Sequence, residues 1–383
     1  MAKIELIATS AFGLEALVAQ ELKQLGYNNL KVENGKVTFV ANESAICQTN
    51  LWLRTAERVL LKMGEFKATT FEELFQQTKA LNWPEWLPLD AEFPVEGKSI
   101  NSTLHSVPDC QAIVKKAVVE KMKEVYRVDW FNETGPKYKI EVALLKDMAT
   151  LTIDTSGAGL HKRGYRKLSA KAPLKETLAA AMLMISYWNA DRLLVDPFCG
   201  SGTIPIEAAL MGQNIAPGLG RNFVSEDWPA IPKKLWQETR REAHSLARYD
   251  QPLKILGYDH DKEVLSLARY HAREAGVDEL VTFHPQDVAQ FSTKKKYGCI
   301  VSNPPYGERL SQRPAVEKLY RLMGQVFKPL DTWSIYIITS HPDFEKLYGR
   351  TADRKRKLYN GRIRCDYYQY LGPKPQKITE RMI

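Results

Sequence analysis

The stretch "RLLVDPFCGSGT", Arg192 to Thr203, decides how the C-terminal half of this chain is read. A short apolar run ends in Asp196, and Gly200-Ser201-Gly202-Thr203 then opens a helical pattern over residues 202–211. Glycines at that point let backbone approach a ligand closely, and the start of the helix offers unpaired amides. A nucleoside triphosphatase loop would need a lysine after the second glycine, and none follows Gly202. A dinucleotide loop would need a third glycine, where this chain has Pro205, and an acid about 20 residues on. The next acid at a strand end is Asp259, far beyond that spacing. An acid directly ahead of the loop also repels a pyrophosphate and favours a cationic ligand.

Outward from this loop, strand-like and helical segments alternate. "RLLVD" is followed by the helix over 202–211, "LKILGYD", a helix over 262–275, "LVTFHPQD", "KYGCIVSN", a helix over 315–328 and "WSIYIITS". That alternation predicts parallel βαβ units, and so an α/β fold with a doubly wound sheet. The closing "RKRKLYNGRIRCDYYQYLG" reads as an antiparallel hairpin turning at Asn360-Gly361. Residues 212–252, rich in Pro, Trp and charge, interrupt the pattern and read as an insertion packed over this domain. In such sheets ligands bind beyond the carboxyl ends of the strands. The second strand ends in "GYDHD", where Asp259 suits two ribose hydroxyls and Asp261 suits either the same role or a helix cap. The third ends in "PQDV", where Asp287 can accept from an adenine amino group and Val288 can donate its amide. Each acid alone reads equally well as a helix cap. Three in order after a glycine loop point to S-adenosylmethionine, held by Asp196, Gly200, Gly202, Thr203, Asp259, Asp287 and Val288.

The fourth strand runs into "CIVSNPPYGERL", Cys299 to Leu310. Two adjacent prolines remove two backbone donors, so neither helix nor ladder continues through them. A rigid turn is one reading. The other is a clamp for a planar, conjugated nitrogen. The carbonyls of the Asn303 side chain and the Pro304 main chain accept the two N–H bonds of an exocyclic amine. That turns its delocalised lone pair toward the methyl donor and stabilises the positive charge that develops. Tyr306 can stack on the ring. Asn303, Pro304 and Tyr306 are therefore the candidate catalytic residues.

The N-terminal half has a different texture. "KIELIAT", "LEALVAQELKQLG", the Asn34-Gly35 hairpin "KVENGKVTFV", "ESAICQTNLWLRTA" and "RVLLKMGEF" make a small βαββαβ-like unit. A second follows from "TFEELFQQTKALN", with Thr70 and Glu73 spaced as a capping box, to the paired strands "KYKIEVALLKD" and "MATLTIDTSG". Cations and acids number 18 and 21 over residues 1–160 but 36 and 24 over 161–383. Within that basic half, "HKRGYRKLSAKAPLK" (161–175) has six cations and no acid. One-sided runs with interleaved tyrosine suggest a polyanion, with Lys162, Arg163, Arg166, Lys167, Arg354, Lys355, Arg356 and Lys357 as the candidate contacts. The five cysteines are scattered without a CxxC pair, and no HxxxH or HExxH spacing occurs. A reducing, cytoplasmic location and no metal are expected, with no membrane span or signal layout.

"DPFCGSGT", "NPPYGERL" and the lead-in "SGAGLHKRGYRKLSAKAPLKETLAAAM" together resemble the bacterial THUMP-domain RNA methyltransferases, most nearly the RlmL-type large-subunit rRNA guanine-N2 enzymes. "NIAPGLGRNF" and "LYNGRIRC" share the likeness, which spans most of residues 1–375. The resemblance implies a ferredoxin-like domain at 1–66, a THUMP RNA-binding domain at 67–155, a basic linker at 156–175 and a Rossmann-like methyltransferase domain at 176–383. It implies rRNA processing, with 23S rRNA as partner and methylation at guanosine N2. A tRNA guanine-N2 enzyme, an N6-adenine enzyme, a glutamine-N5 enzyme and a non-catalytic RNA-binding assembly factor are the alternatives.

Overall fold

Period-two alternation in the N-terminal segments builds one continuous antiparallel-dominated sheet rather than two separate ones. The computed structural model describes residues 3–168, 174–306 and 313–374, arranged as two units. One holds residues up to Ser10 with Val18–Leu160 and Arg221–Ser245, and the other holds Ala11–Leu17, His161–Gly220 and the chain from Leu246. The first carries β1 (Ile4–Ser10), β2 (Leu30–Glu33), β3 (Lys36–Ala41), β4 (Ala56–Lys67), β5 (Val95–Ile100), β6 (Ile140–Leu145) and β7 (Met148–Asp154) in the order β2-β3-β1-β4-β7-β6-β5. The border expected near residue 66 falls at the end of β4. This strand pairs with β1 on one edge and β7 on the other, with a register shift between Lys62 and Gly64.

Helices α1 (Glu15–Gln24), α2 (Ser44–Trp52), α3 (Phe71–Ala80) and α4 (Val107–Tyr126) connect these strands. The capping box expected at the start of α3 forms. Thr70 Oγ1 accepts from the Glu73 amide at 3.2 Å, and the Glu73 carboxylate accepts from the Thr70 amide at 3.2 Å. Residues 221–245, which include most of α7 (Lys233–Leu246), correct the expectation for the insertion, because they belong to the first unit. Trp228 stacks on Tyr138 with ring centroids 4.4 Å apart and donates Nε1–H to the Lys137 carbonyl at 2.9 Å. Trp228 is 1% exposed, so its large ring is buried within that unit.

The second unit carries β8 (Leu194–Asp196), β9 (Ile255–Asp259), β10 (Val281–Pro285), β11 (Cys299–Ser302), β12 (Ser334–Thr339), β13 (Arg354–Asn360) and β14 (Ile363–Tyr370). Their order is β10-β9-β8-β11-β12-β14-β13, parallel through β12 and antiparallel thereafter. Helices α5 (Glu176–Ile185), α6 (Thr203–Gly212), α8 (Lys262–Glu274), α9 (Arg313–Phe327) and α10 (Phe344–Tyr348) complete it. Alternate residues of β12 enter two different cores. Tyr336 and Ile338 join Met182 and Ile204, whereas Ile335 and Ile337 join Tyr320 and Phe344. Burial on both faces is why "SIYIIT" lacks a polar alternate position. No helix among the described residues is long and apolar enough to cross a membrane.

Loss of the α3 cap should be measurable. Thr70→Ala is expected to cost about 1 kcal/mol of stability in urea unfolding followed by tryptophan fluorescence, with Thr70→Ser near wild type. An unchanged midpoint in the alanine variant would remove the cap from the account.

Candidate active site

Strand order reverses its chain direction at β8, with β9 on one side and β11 on the other. Such a switch point opens a crevice at the carboxyl ends of the strands. Asp196 closes β8 and is 1% exposed. Its Oδ1 accepts from the Ser302 hydroxyl at 2.7 Å and from the Phe198 amide at 3.1 Å, joining the ends of β8 and β11. Burial pushes the Asp196 carboxyl up from the ordinary aspartate range to about 7. The two hydrogen bonds oppose that rise, and the nearby Asp259 charge adds to it.

Asp259, at the end of β9, shapes the glycine loop from the other side. Its Oδ2 accepts from the Gly200 amide at 3.0 Å and its Oδ1 from the Asp261 amide at 3.0 Å. The Cys199 amide reaches the Tyr258 carbonyl at 2.9 Å, so the loop is tied to β9 twice. The two glycines serve different ends. Gly200 has φ +52° and nothing within 4 Å of where a Cβ would stand, leaving open space above the loop. Gly202 has φ +85°, and a Cβ there would meet the Phe283 ring at 3.0 Å and Ala268 at 3.1 Å. Thr203 opens α6, is buried, and accepts from Arg166 Nη2. His271, also buried, sets Nδ1 3.2 Å from the Ser201 carbonyl and Nε2 3.1 Å from the Leu168 carbonyl.

The other two acids cap turns. Asp261 Oδ1 accepts from the Glu263 and Val264 amides at the start of α8. Asp287 is exposed, and its Oδ1 accepts from the Ala289 amide at 2.8 Å, capping the short turn Val288–Gln290. Val288 itself is buried in the second core.

Asn303 and Pro304 follow β11, with Pro304 buried. The Pro305 carbonyl accepts from the Tyr320 hydroxyl at 2.8 Å, which locks the turn onto α9. Tyr306 packs against the core that contains Tyr336 and Tyr367, and its hydroxyl donates to Asn303 Oδ1. The ring expected to stack on a base thus lies against protein here. Residues 307–312, which complete "NPPYGERL", lie outside the described residues, as do 169–173 of the basic lead-in and 375–383 of the basic tail.

The candidate polyanion contacts divide. Arg163 is corrected outright, being 3% exposed with Nη2 3.4 Å from Glu207 of α6, which is wholly buried. A buried guanidinium with a buried carboxylate partner offers a polyanion nothing. Arg166 lies 3.2 Å from Glu176, and Lys167 pairs with Glu274. Lys162, Arg354 and Lys357 are exposed, Lys355 pairs with Glu345 at 2.8 Å, and Arg356 donates to the Gly13 carbonyl at 2.7 Å. Ser302 and His271 carry the site's support and were missed in sequence, because their partners Asp196 and Ser201 are distant along the chain.

Residues 5–60 match the RlmL ferredoxin-like domain, 68–154 the THUMP domain, and 163–369 the RMKL-like methyltransferase domain. The chain is 55% identical over 380 residues to the Bacillus subtilis (strain 168) protein named "Putative RNA methyltransferase YpsC", covering 98% of each. It is 57% identical to a solved Listeria monocytogenes str. 4b F2365 structure described as "a predicted N6-adenine-specific DNA methylase", with TM-score 0.94 and 97% of each chain covered. SMU.472, described as "a putative methyltransferase complexed with SAH", is 47% identical with TM-score 0.94 over 98% of this chain and 100% of that one.

The buried acid gives a pH test. With its folded-state pKa raised, Asp196 favours the fold while protonated, and that contribution is lost as pH rises from about 4 to about 7. Asp196→Asn keeps an acceptor for Ser302 and Phe198 without ionising. Its melting temperature relative to wild type should climb across that window and level off above it; a pH-independent difference would contradict the assignment.

Proposed function

The chain belongs to the RMKL-like methyltransferase family, and from that premise we propose that this S-adenosylmethionine-dependent RNA methyltransferase modifies the exocyclic N2 of a guanosine in 23S rRNA. The observation that carries the reading is Asn303-Pro304-Pro305-Tyr306 at the end of β11, the strand paired with β8, whose own end leads into the glycine loop with open space at Gly200. The match of residues 5–60 to the RlmL ferredoxin-like domain favours rRNA over tRNA.

The donor set suits this cofactor. Carboxylates at Asp196 and Asp259 disfavour a polyphosphate, and Gly200 leaves room where a side chain would intrude. Asp259 takes the ribose hydroxyls in this reading, and its Oδ2 also holds the Gly200 amide. Asp196 faces the amino-acid end with Gly200 and Gly202, and Thr203 supports that end from α6. Asp287 and the Val288 amide serve the adenine. When bound, the cofactor supplies a sulfonium-activated methyl group.

Asn303 Oδ1 and the Pro304 carbonyl accept the two N–H bonds of the target amine, so its lone pair points away from the clamp. As the N–C bond forms and the methyl–sulfur bond breaks, with the thioether S-adenosylhomocysteine as leaving group, those oxygens stabilise the growing positive charge, and a proton then leaves to water. No side-chain base is needed, because the alkylated amine is strongly acidic. The Tyr306 hydroxyl occupies Asn303 Oδ1 in this structure, so base entry displaces it and frees the ring for stacking. Lys162, Arg166, Lys167, Arg354, Lys355, Arg356 and Lys357 are candidates for phosphate contact, with the THUMP-matching residues 68–154 as the RNA-binding module.

Mass spectrometry of rRNA and tRNA nucleosides from a deletion strain, with positional mapping, tests this reading. Loss of N2-methylguanosine from 23S rRNA is the expected result; loss from tRNA, or loss of N6-methyladenosine, would replace it. In vitro, Asn303→Ala should keep cofactor binding by calorimetry while methyl transfer falls by about a hundredfold or more. Asp259→Ala should weaken cofactor binding by about tenfold or more, and unaltered affinity would sink its assignment.

A further inference from the structure

The turn between β1 and α1 contributes a residue that no motif marks. Residues Ala11–Leu17 belong to the second unit, where Gly13 accepts through its carbonyl from Arg356 Nη2 at 2.7 Å. Gly13 has φ +90°, and a Cβ there would lie 2.8 Å from the Lys357 carbonyl oxygen. Backbone therefore lies directly against the edge strand β13. Phe12, the preceding residue, forms a T-shaped pair with Tyr359, with ring centroids 6.2 Å apart and planes at 65°.

Phe12 is nevertheless 58% exposed. Its ring partner is Tyr359, and cations lie on the neighbouring hairpin. Tyr359 stands opposite Arg364 in the β13–β14 ladder, and Arg362 and Arg364 are exposed on the same hairpin, as is Lys357. The hairpin tip also adjoins the Asn303–Tyr306 segment, because Asn360 and Cys365 lie close to the Tyr306 hydroxyl.

We propose that Phe12 and Tyr359, with Arg362 and Arg364, form a subsite for an unpaired RNA nucleotide flanking the one that is methylated. This rests on the RNA reading given above. A guanosine can reach Asn303 with its exocyclic amine only when it is out of a base-paired helix, so its neighbours along the strand are available for stacking. Unpaired bases stack on aromatic faces and arginine planes, and the flanking phosphates meet guanidinium groups. A protein partner would call for a broader apolar patch; here one exposed ring stands beside a hairpin that carries exposed arginines.

The test uses the full chain with a fluorescein-labelled single-stranded RNA oligonucleotide of mixed sequence and the matching duplex. Phe12→Ala should weaken single-strand binding about tenfold, with duplex binding and S-adenosylmethionine binding unchanged. Phe12→Tyr should bind as wild type, and Phe12→Leu, apolar but without a π-face, should behave like the alanine variant. Arg364→Ala should lower the salt dependence of binding by about one phosphate contact, whereas Phe12→Ala should leave that slope alone. Because Phe12 is largely exposed, these variants keep the core intact, and unchanged cofactor affinity reports that directly. Wild-type RNA binding in Phe12→Ala overturns the subsite while the proposed function stands. Wild-type binding in Phe12→Leu also overturns it, since that marks a merely apolar contact. A wild-type chain that neither binds nor methylates RNA overturns the proposed function itself, before any variant is compared.

Discussion

One hydrogen bond, from the Ser302 hydroxyl to the buried carboxyl of Asp196, joins the ends of the two strands that flank the switch point. β8 is three residues long and β11 four, so neither strand fixes its own tip through ladder bonds alone. A carboxylate buried to 1% exposure is costly when charged, and its partners limit the cost. Its position therefore determines where the glycine loop leaves β8 and where Asn303 leaves β11. Asp259 does the matching work on the opposite side through the Gly200 amide. Two acids at neighbouring strand ends thus each hold a neighbouring backbone or side chain in place.

Charge in the basic segment 161–168 turns inward to support this arrangement. Arg163 pairs with Glu207 within α6, Arg166 reaches Thr203 at the helix start, and the Leu168 carbonyl meets His271, whose other nitrogen meets Ser201. Removing one member of a buried pair leaves its partner charged and unpaired, which is strongly destabilising. The segment thus buttresses the loop from behind, and only part of its charge is left on the surface. Lys162 and Lys167 of the segment still face solvent, and Arg354, Lys355, Lys357, Arg362 and Arg364 do so on the hairpin of β13 and β14.

In the first unit a single long strand has the corresponding organising role. β4 offers both its edges to partners, so the residues matching the RlmL ferredoxin-like domain and those matching the THUMP domain share one sheet. Residues 221–245 add Trp228 to that unit by stacking on Tyr138, although they interrupt the sequence of the other.

The chain's own residues determine which elements form, and where. Alternation in "KIELIAT", the capping box at Thr70, the turns at Asn34-Gly35 and Asn360-Gly361, and the βαβ rhythm after Arg192 are local signals, each set by φ/ψ preference or by side-chain period. That Asp196 and Asp259 close β8 and β9, and that Asn303 follows β11, was likewise legible from the strand patterns. Long-range pairings were not legible. That Arg163 is buried, that Ser302 bridges to Asp196, that residues 221–245 pack with the first unit, and that Phe12 stands beside Tyr359 depend on groups far apart in the chain. Sequence gives each residue's charge and shape. Whether a charge meets water or a buried carboxylate is decided only when packing brings the partner there.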